Sequence, residues 1–312
     1  MIETDRRIYD CAVVGAGPAG LSAAVYMGRM RRSVIVVDNN EGRSNWHQVN
    51  SNYLGFPDGV HATALRELGR EQAERYGAVF YYGYVDDARI EGEGRERLFC
   101  LSTGDREIVA RTLILATGVE DVFPEFEGSE ECIGKSIFWC IMCDGYETID
   151  KRVLVLGSGD RAAALALQLR VFTDRVSLAP WNEPLDFEPD RLESLHKHGV
   201  KVYTSLARSF NCAPGKQLAS VTLENNVEVP LDSVFVTQRI QPNTQLAKQL
   251  GLSHDEHGYI VSDVEQCTNV AGVYAAGDVT RLFNHQVTSA VHEGGMAAAA
   301  ANYYLYEDWQ KE

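Results

Sequence analysis

Apolar residues recur along this chain in short unbroken runs, each closed by a glycine-rich turn and followed by a stretch with helical spacing. The first run, from Ile8 to Val14, ends at Gly15-Ala16-Gly17-Pro18-Ala19-Gly20. Leu21 to Met27 then reads as helix, and Ser33 to Asp38 as a second strand that closes on an acid. The pattern returns with Arg152 to Leu156, the turn Gly157-Ser158-Gly159-Asp160-Arg161-Ala162, a helix from Ala163 to Arg170 and a strand from Arg175 to Leu178. Runs of strand length without polar alternation belong to sheets covered on both faces. Strand and helix in alternation predict an α/β chain with two Rossmann-like, three-layer domains. Thr112 to Gly118 and Gly272 to Asp278 read as two further buried strands that end in small-residue turns. A long alanine-rich helix is expected from about Gln286 to Tyr306. The stretch 120–150, rich in Gly, Pro and acids, reads as a crossing, with a return near Pro242 to Thr244. A first domain of 1–119 plus 246–312, with 120–245 inserted in it, is the expected division.

The turn chemistry gives the repeat a ligand class. Gly15 permits the tight turn, Gly17 lets backbone approach a pyrophosphate, and Gly20 lets the helix pack closely on the sheet. Pro18 suits the first helical turn, where its missing N–H costs nothing. Free N–H groups at the helix start hold the phosphates, and Asp38 stands where ribose hydroxyls are accepted. In the second module Ala162 replaces the third glycine, a permitted variant. The small-residue turns Ala116-Thr117-Gly118 and Ala276-Gly277-Asp278 bring backbone towards the far end of such a nucleotide.

Composition narrows the setting. The 312 residues are 45% hydrophobic and 23% charged, which fits a globular chain, and no apolar run approaches the ~20 residues of a membrane span. Met1 to Arg7 alternates acid and base and does not read as a secretory signal, so a cytoplasmic protein is expected, associated with a membrane only through a partner. A net charge of −15 argues against nucleic-acid partners. Of seven cysteines, Cys11, Cys100 and Cys212 fall in or beside strand-like segments, as small buried hydrophobes do. Cys140 and Cys143 alone have a spacing that carries chemistry: three apart, they can close a short disulfide or hold a reactive thiolate. Asp144 beside them is placed to move a proton, although Asp-Gly is also an ordinary turn. Zinc needs four ligands; no second CxxC exists and Cys132 lacks an obvious partner, so no metal is expected.

Taken in order, GAGPAG at 15–20, ATG at 116–118, CxxCDG at 140–145, the GxGxxA turn at 157–162, AGD at 276–278 and Gln286 resemble the low-molecular-weight thioredoxin reductases over nearly the whole length. The resemblance implies one FAD in the first fold, with contacts from Gly15, Gly17, Pro18, Ala19, Gly20, Asp38, Asn52, Ala116, Thr117, Gly118, Gly277, Asp278, Gln286 and Val287. It also implies that Cys143 faces the flavin while Cys140 exchanges with an external disulfide. The implied partner is a thioredoxin-like thiol/disulfide protein or a small thiol, and the implied assembly a homodimer.

One departure alters the functional expectation. Members that use NADPH follow the second strand with a cluster of basic residues; here the strand runs into Ala179-Pro180-Trp181-Asn182-Glu183-Pro184. A 2′-phosphate beside Glu183 and Asp186 is disfavoured, and NAD finds no acid at the strand end. Gly157, Ser158, Gly159, Asp160, Arg161 and Ala162 keep the turn, and Trp181 offers an aromatic face for stacking. These features resemble the NADPH-independent, diflavin-linked disulfide oxidoreductases of cyanobacteria. They lead to an expected dithiol–disulfide oxidoreductase without NADPH, with a second FAD or a protein electron donor or acceptor in its place. The alternatives are an NADPH- or ferredoxin-dependent thioredoxin reductase and, from another class, a non-catalytic flavin or nucleotide sensor. His292-Glu293 is a further departure, at a place where the family has small residues.

Overall fold

The unbroken apolar runs form the inner strands of two parallel sheets. The computed structural model describes residues 7–45, 49–122, 132–213, 217–237, 239–281 and 283–311. Over these it divides into two compact units, one of Met1–Asn45, Ala62–Glu120 and Ile240–Glu312, the other of Trp46–His61 and Asp121–Arg239. The first unit is interrupted by the second, giving an α/β thioredoxin-reductase-like architecture. Part of the expected crossing, 123–131, lies outside the described residues.

In the first unit the strands run in the order Val79–Tyr82, Val34–Asp38, Ile8–Val14, Glu107–Leu115, all parallel. On the edge away from Ile8–Val14 the long strand Glu107–Leu115 serves two neighbours. Its first half pairs with antiparallel Leu98–Ser102, and its second half with parallel Val273–Ala275. Residues 11–13 and 34–37 are at most 1% exposed, which is why no polar alternation is seen there. The helix Pro18–Arg29 buries eight of its twelve residues. Five of the eight are Gly or Ala, and a Cβ on Gly294 of the last helix would lie 2.0 Å from Ala19 O, so the two helices meet backbone to backbone. That last helix spans Val287–Tyr304, with Gln286 as its N-cap.

The second unit repeats the plan. Ile137–Phe138, Ser233–Val236, Val153–Leu156, Val176–Ala179 and Lys201–Val202 form a parallel sheet in that order. A three-stranded antiparallel sheet, Ala207–Ala213, Gln217–Leu223 and Glu228–Pro230, accompanies it. Residues 49–61 pack with this unit although they precede it by some sixty positions in the chain. Cys11, Cys100 and Cys132 are buried, and burial pushes the Cys11 thiol up to about 12, an inert hydrophobe; the side chain of Cys212 lies outside the described residues. Among the described residues no helix is long and apolar enough to cross a membrane.

Candidate active site

The edge strand Ile137–Phe138 delivers the chain to Cys140, the N-cap of a single helical turn, Ile141–Asp144. Cys140 is extended, and its carbonyl accepts the N–H groups of Cys143 at 3.1 Å and Asp144 at 3.0 Å. The turn brings the two Cα atoms to 5.3 Å, within disulfide range, and the sulfurs are bonded. Cys143 N–H also donates to Cys140 Sγ at 3.2 Å, a contact that favours thiolate at Cys140 once the pair is reduced. Asp144, half-buried, has its carboxyl pushed up to about 7, first by desolvation and then by the charge of Glu147. A carboxyl with that pKa both holds and releases a proton at neutral pH. A side chain on Gly145 would strike Ile141 O at 2.5 Å and the Phe172 ring at 2.8 Å, so only glycine lets the chain close here. Beside the pair, Ile141, Met142, Gln168, Val171 and Phe172 line a shallow apolar depression of about 290 Å³. Met142 and Val171 are 59% and 83% exposed, an apolar approach to the disulfide.

In the first unit three chain segments converge at the ends of the central strands: Ala116 N–H donates to Val14 O, and Ala276 N–H to Leu115 O. Gly15 has φ +103°, and a Cβ there would lie 2.3 Å from Ala116 O; one on Gly20 would lie 1.8 Å from Gly15 O. Both glycines are required by packing. Gly17 differs, since the nearest atom to a Cβ there is Ser44 Oγ at 3.9 Å. The open side at Gly17, with Pro18 at the helix start and no side-chain cap there among the described residues, suits a pyrophosphate. Asp38 accepts Ala16 N–H through Oδ1 at 2.9 Å, and its Oδ2 pairs with Arg66 at 3.0 Å. Arg66 also donates to Ala16 O and to Asn40 Oδ1, so it holds the turn and the acid together. Nothing in the sequence singles it out: it is one arginine in a polar helix, Ala62–Arg75, remote from the motif. Thr117 exchanges hydrogen bonds with Asn243, and Gly118 O accepts Asn243 N–H. Gly277 has φ +83°, and Asp278 pairs with Arg43 at 3.0 Å, a second residue the sequence motifs do not mark. This constellation fits FAD, which would lie with its phosphates at Gly17 to Gly20 and its adenosine towards Asp38. Asn52 belongs to the second unit, where its Nδ2 donates to Met142 O at 3.2 Å, between the two cysteines.

The second fold keeps the turn but closes part of it with its own chain. Gly157 is required by packing, since a Cβ there would lie 1.8 Å from Thr237 Oγ1. Gly159 is the N-cap of the helix Asp160–Leu169, in extended conformation. Ser158, the counterpart of Ala16, donates its hydroxyl to Glu183 O at 2.8 Å and accepts Asp186 N–H at 2.8 Å. The segment 183–186 thus lies beside the turn, with Asp186 N–H on Ser158 O as Arg66 is on Ala16 O in the first fold, and Pro180 takes the strand-end place of Asp38. Ala179 and Pro180 end the strand fully buried, and Trp181 packs half-buried against the cluster that includes Leu154, Leu156 and Ala179. Arg161 is exposed on the first helical turn, and Arg191 lies 3.6 Å from Asp160. His292 is exposed on the last helix, whereas Glu293 is buried.

Comparison with known proteins agrees with this geometry. The profile of the family described as "Pyridine nucleotide-disulphide oxidoreductase" matches residues 9–299. A thioredoxin reductase of Listeria innocua is 29% identical, over 97% of this chain and 96% of its own length. One of Treponema pallidum is 32% identical, over 97% and 98%. The crystal structure of thioredoxin reductase from Streptococcus pyogenes superposes with a TM-score of 0.88 at 27% identity, covering 96% of this chain and 99% of that one.

Proposed function

The chain belongs to the pyridine nucleotide-disulphide oxidoreductase family as a thioredoxin-reductase-like, FAD-dependent disulfide oxidoreductase, and from that premise we propose that it exchanges electron pairs between a thiol partner and FAD without NADPH. FAD, when bound, supplies the two-electron acceptor or donor. Cys140 as thiolate attacks a partner disulfide, forming the Cys140–partner bond and releasing one partner thiolate. Cys143 then attacks Cys140 Sγ, releasing the second partner thiolate and leaving the Cys140–Cys143 disulfide. The same two exchanges run in reverse when the partner is a dithiol. Asp144 takes up or supplies the proton of the departing thiol, and the N–H of Cys143 steadies Cys140 Sγ. A thioredoxin-like protein, the substrate class named by the relatives, or a small thiol would reach the pair over Met142 and Val171. We take the oligomer to be a homodimer.

The observation that carries the NADPH-independent reading is the second fold. Pro180 stands at its strand end, and 183–186 is hydrogen-bonded across Ser158. Losing two or three charge-assisted hydrogen bonds to a 2′-phosphate, at about 1.5–3 kcal/mol each, weakens NADPH by roughly three orders of magnitude or more. Stopped-flow mixing with micromolar NADPH or NADH is expected to leave the flavin oxidised; rapid bleaching would restore an NADPH-dependent reductase. A second FAD in this fold is the companion proposal, resting on the open helix start at Gly159 and on Trp181. Flavin released on denaturation tests it: two FAD per chain supports a diflavin relay, and one supports a protein electron donor or acceptor.

A further inference from the structure

The first unit holds a buried carboxylate that the redox chemistry does not use. Glu293 is 1% exposed, in the middle of the last helix. A charge in such a place is costly unless its oxygens are satisfied. Oε2 accepts Gly277 N–H at 2.7 Å and shares the hydroxyl of Thr280 at 3.1 Å, and Oε1 faces the guanidinium of Arg281 in an ion pair. All three partners lie in one turn, Gly277 to Arg281. That turn needs holding. Gly277 has a left-handed φ of +83°, and a Cβ there would lie 2.9 Å from the Ala19 side chain. One residue beyond Glu293, Gly294 meets the backbone of Ala19. The last helix therefore grips two loops through adjacent residues: the turn that carries Asp278 through Glu293, and the start of the first helix through Gly294. From the other side Arg43 fixes Asp278.

We propose that Glu293 is a positioning residue for FAD, holding the Gly277–Thr280 turn in the shape that lets Asp278 and the start of the first helix grip one nucleotide together. The proposal rests on the reading of the first fold as the FAD site. An alanine at 293 leaves the buried Gly277 N–H without an acceptor and frees the turn to relax. A glutamine keeps an acceptor oxygen for that N–H and exchanges the oxygen facing Arg281 for an amide nitrogen, giving up the ion pair.

The test uses full-length protein stripped of flavin and titrated with FAD, with thermal unfolding of each apoprotein measured alongside. Glu293→Gln is expected to stay within about threefold of the unaltered protein, and Glu293→Ala to bind FAD at least about tenfold more weakly, as befits one buried donor left unpaired. Rescue of FAD affinity by Glu293→Gln, together with a loss in Glu293→Ala larger than its apoprotein melt accounts for, is what a merely structural role would not give. Should Glu293→Ala not accumulate as folded protein, Thr280→Val carries the test: it removes one of the two donors and is expected to weaken FAD about threefold. Unchanged affinity in Glu293→Ala, or in Thr280→Val where that variant is used, overturns the proposal. A loss as large in Glu293→Gln as in Glu293→Ala does so as well, because the acceptor is intact there. If the unaltered protein takes up no FAD at all, the reading beneath falls and the proposal with it.

Discussion

Asp144 is held near pH 7 by lost hydration and by Glu147, so its state changes where the enzyme works. In dithiol–flavin exchange followed by stopped flow, the pH profile is expected to inflect near 7 and to lose that inflection in Asp144→Asn. Glu147→Gln removes the like charge and is expected to move the inflection to lower pH. Stability carries the same signature. The folded pKa lies above the unfolded value of 3.8, so between the two the folded state binds more protons and stability falls as pH rises. That loss is complete above about pH 7, so Asp144→Asn is expected to be more stable than the unaltered protein at pH 8, by about 1–3 kcal/mol. Near pH 3.5 the gain should vanish, and equal unfolding midpoints at both pH values would contradict it. The sequence offers Asp144 only as a neighbour of a CxxC pair, since Asp-Gly is equally a turn. Its titration depends first on burial by the surrounding fold, which no local pattern encodes.

At the scale of elements the glycines divide by what they touch. Gly20 and Gly157 are each closed by atoms under 2 Å from a notional Cβ, whereas at Gly17 and Gly159 the nearest atoms lie at ordinary contact distance, 3.9 and 3.7 Å. Gly20→Ala is expected to strip FAD and destabilise the first unit by several kcal/mol, as overpacking against backbone does. Gly157→Ala is expected to destabilise the second unit while leaving the FAD of the first fold in place, since its clash is with Thr237. Absorbance of the bound flavin and circular-dichroism melts separate the two outcomes. This division was partly legible beforehand: the fingerprint GxGxxG names the glycines by role because each role has a fixed distance from strand and helix. The strands were legible too, because burial on both faces leaves an unbroken apolar run. Arg66 and Arg43, by contrast, reach their acids across long sequence separations, and the contacts of Ser158 with residues 183–186 go to backbone atoms that every residue type possesses. Such contacts write no pattern into the chain. The same holds for residues 49–61, whose place with the second unit rests on contacts such as that of Asn52 with Met142 O.

For the molecule as a whole, the electron count is the decisive quantity. Reductive titration is expected to consume two electrons more than the bound flavin alone accepts, and Cys143→Ser to abolish that excess; an unchanged titration in the variant means the pair is no redox centre. The segment 183–186 has a consequence for anyone who would retrofit this scaffold. On the proposed NADPH-independent reading, its grip on Ser158 would make cofactor choice epistatic: the substitutions that would recruit a pyridine nucleotide would have no selectable effect while the segment stays. Pro180→Arg and Trp181→Arg, singly or together, are expected to leave flavin reduction by NADPH at background. Only a shortened loop lacking 183–186 would let those arginines register. A laboratory lineage selected for NADPH use should therefore show a deletion before it accumulates positive charge, and the barrier to crossing between electron sources would lie in loop length rather than in residue identity.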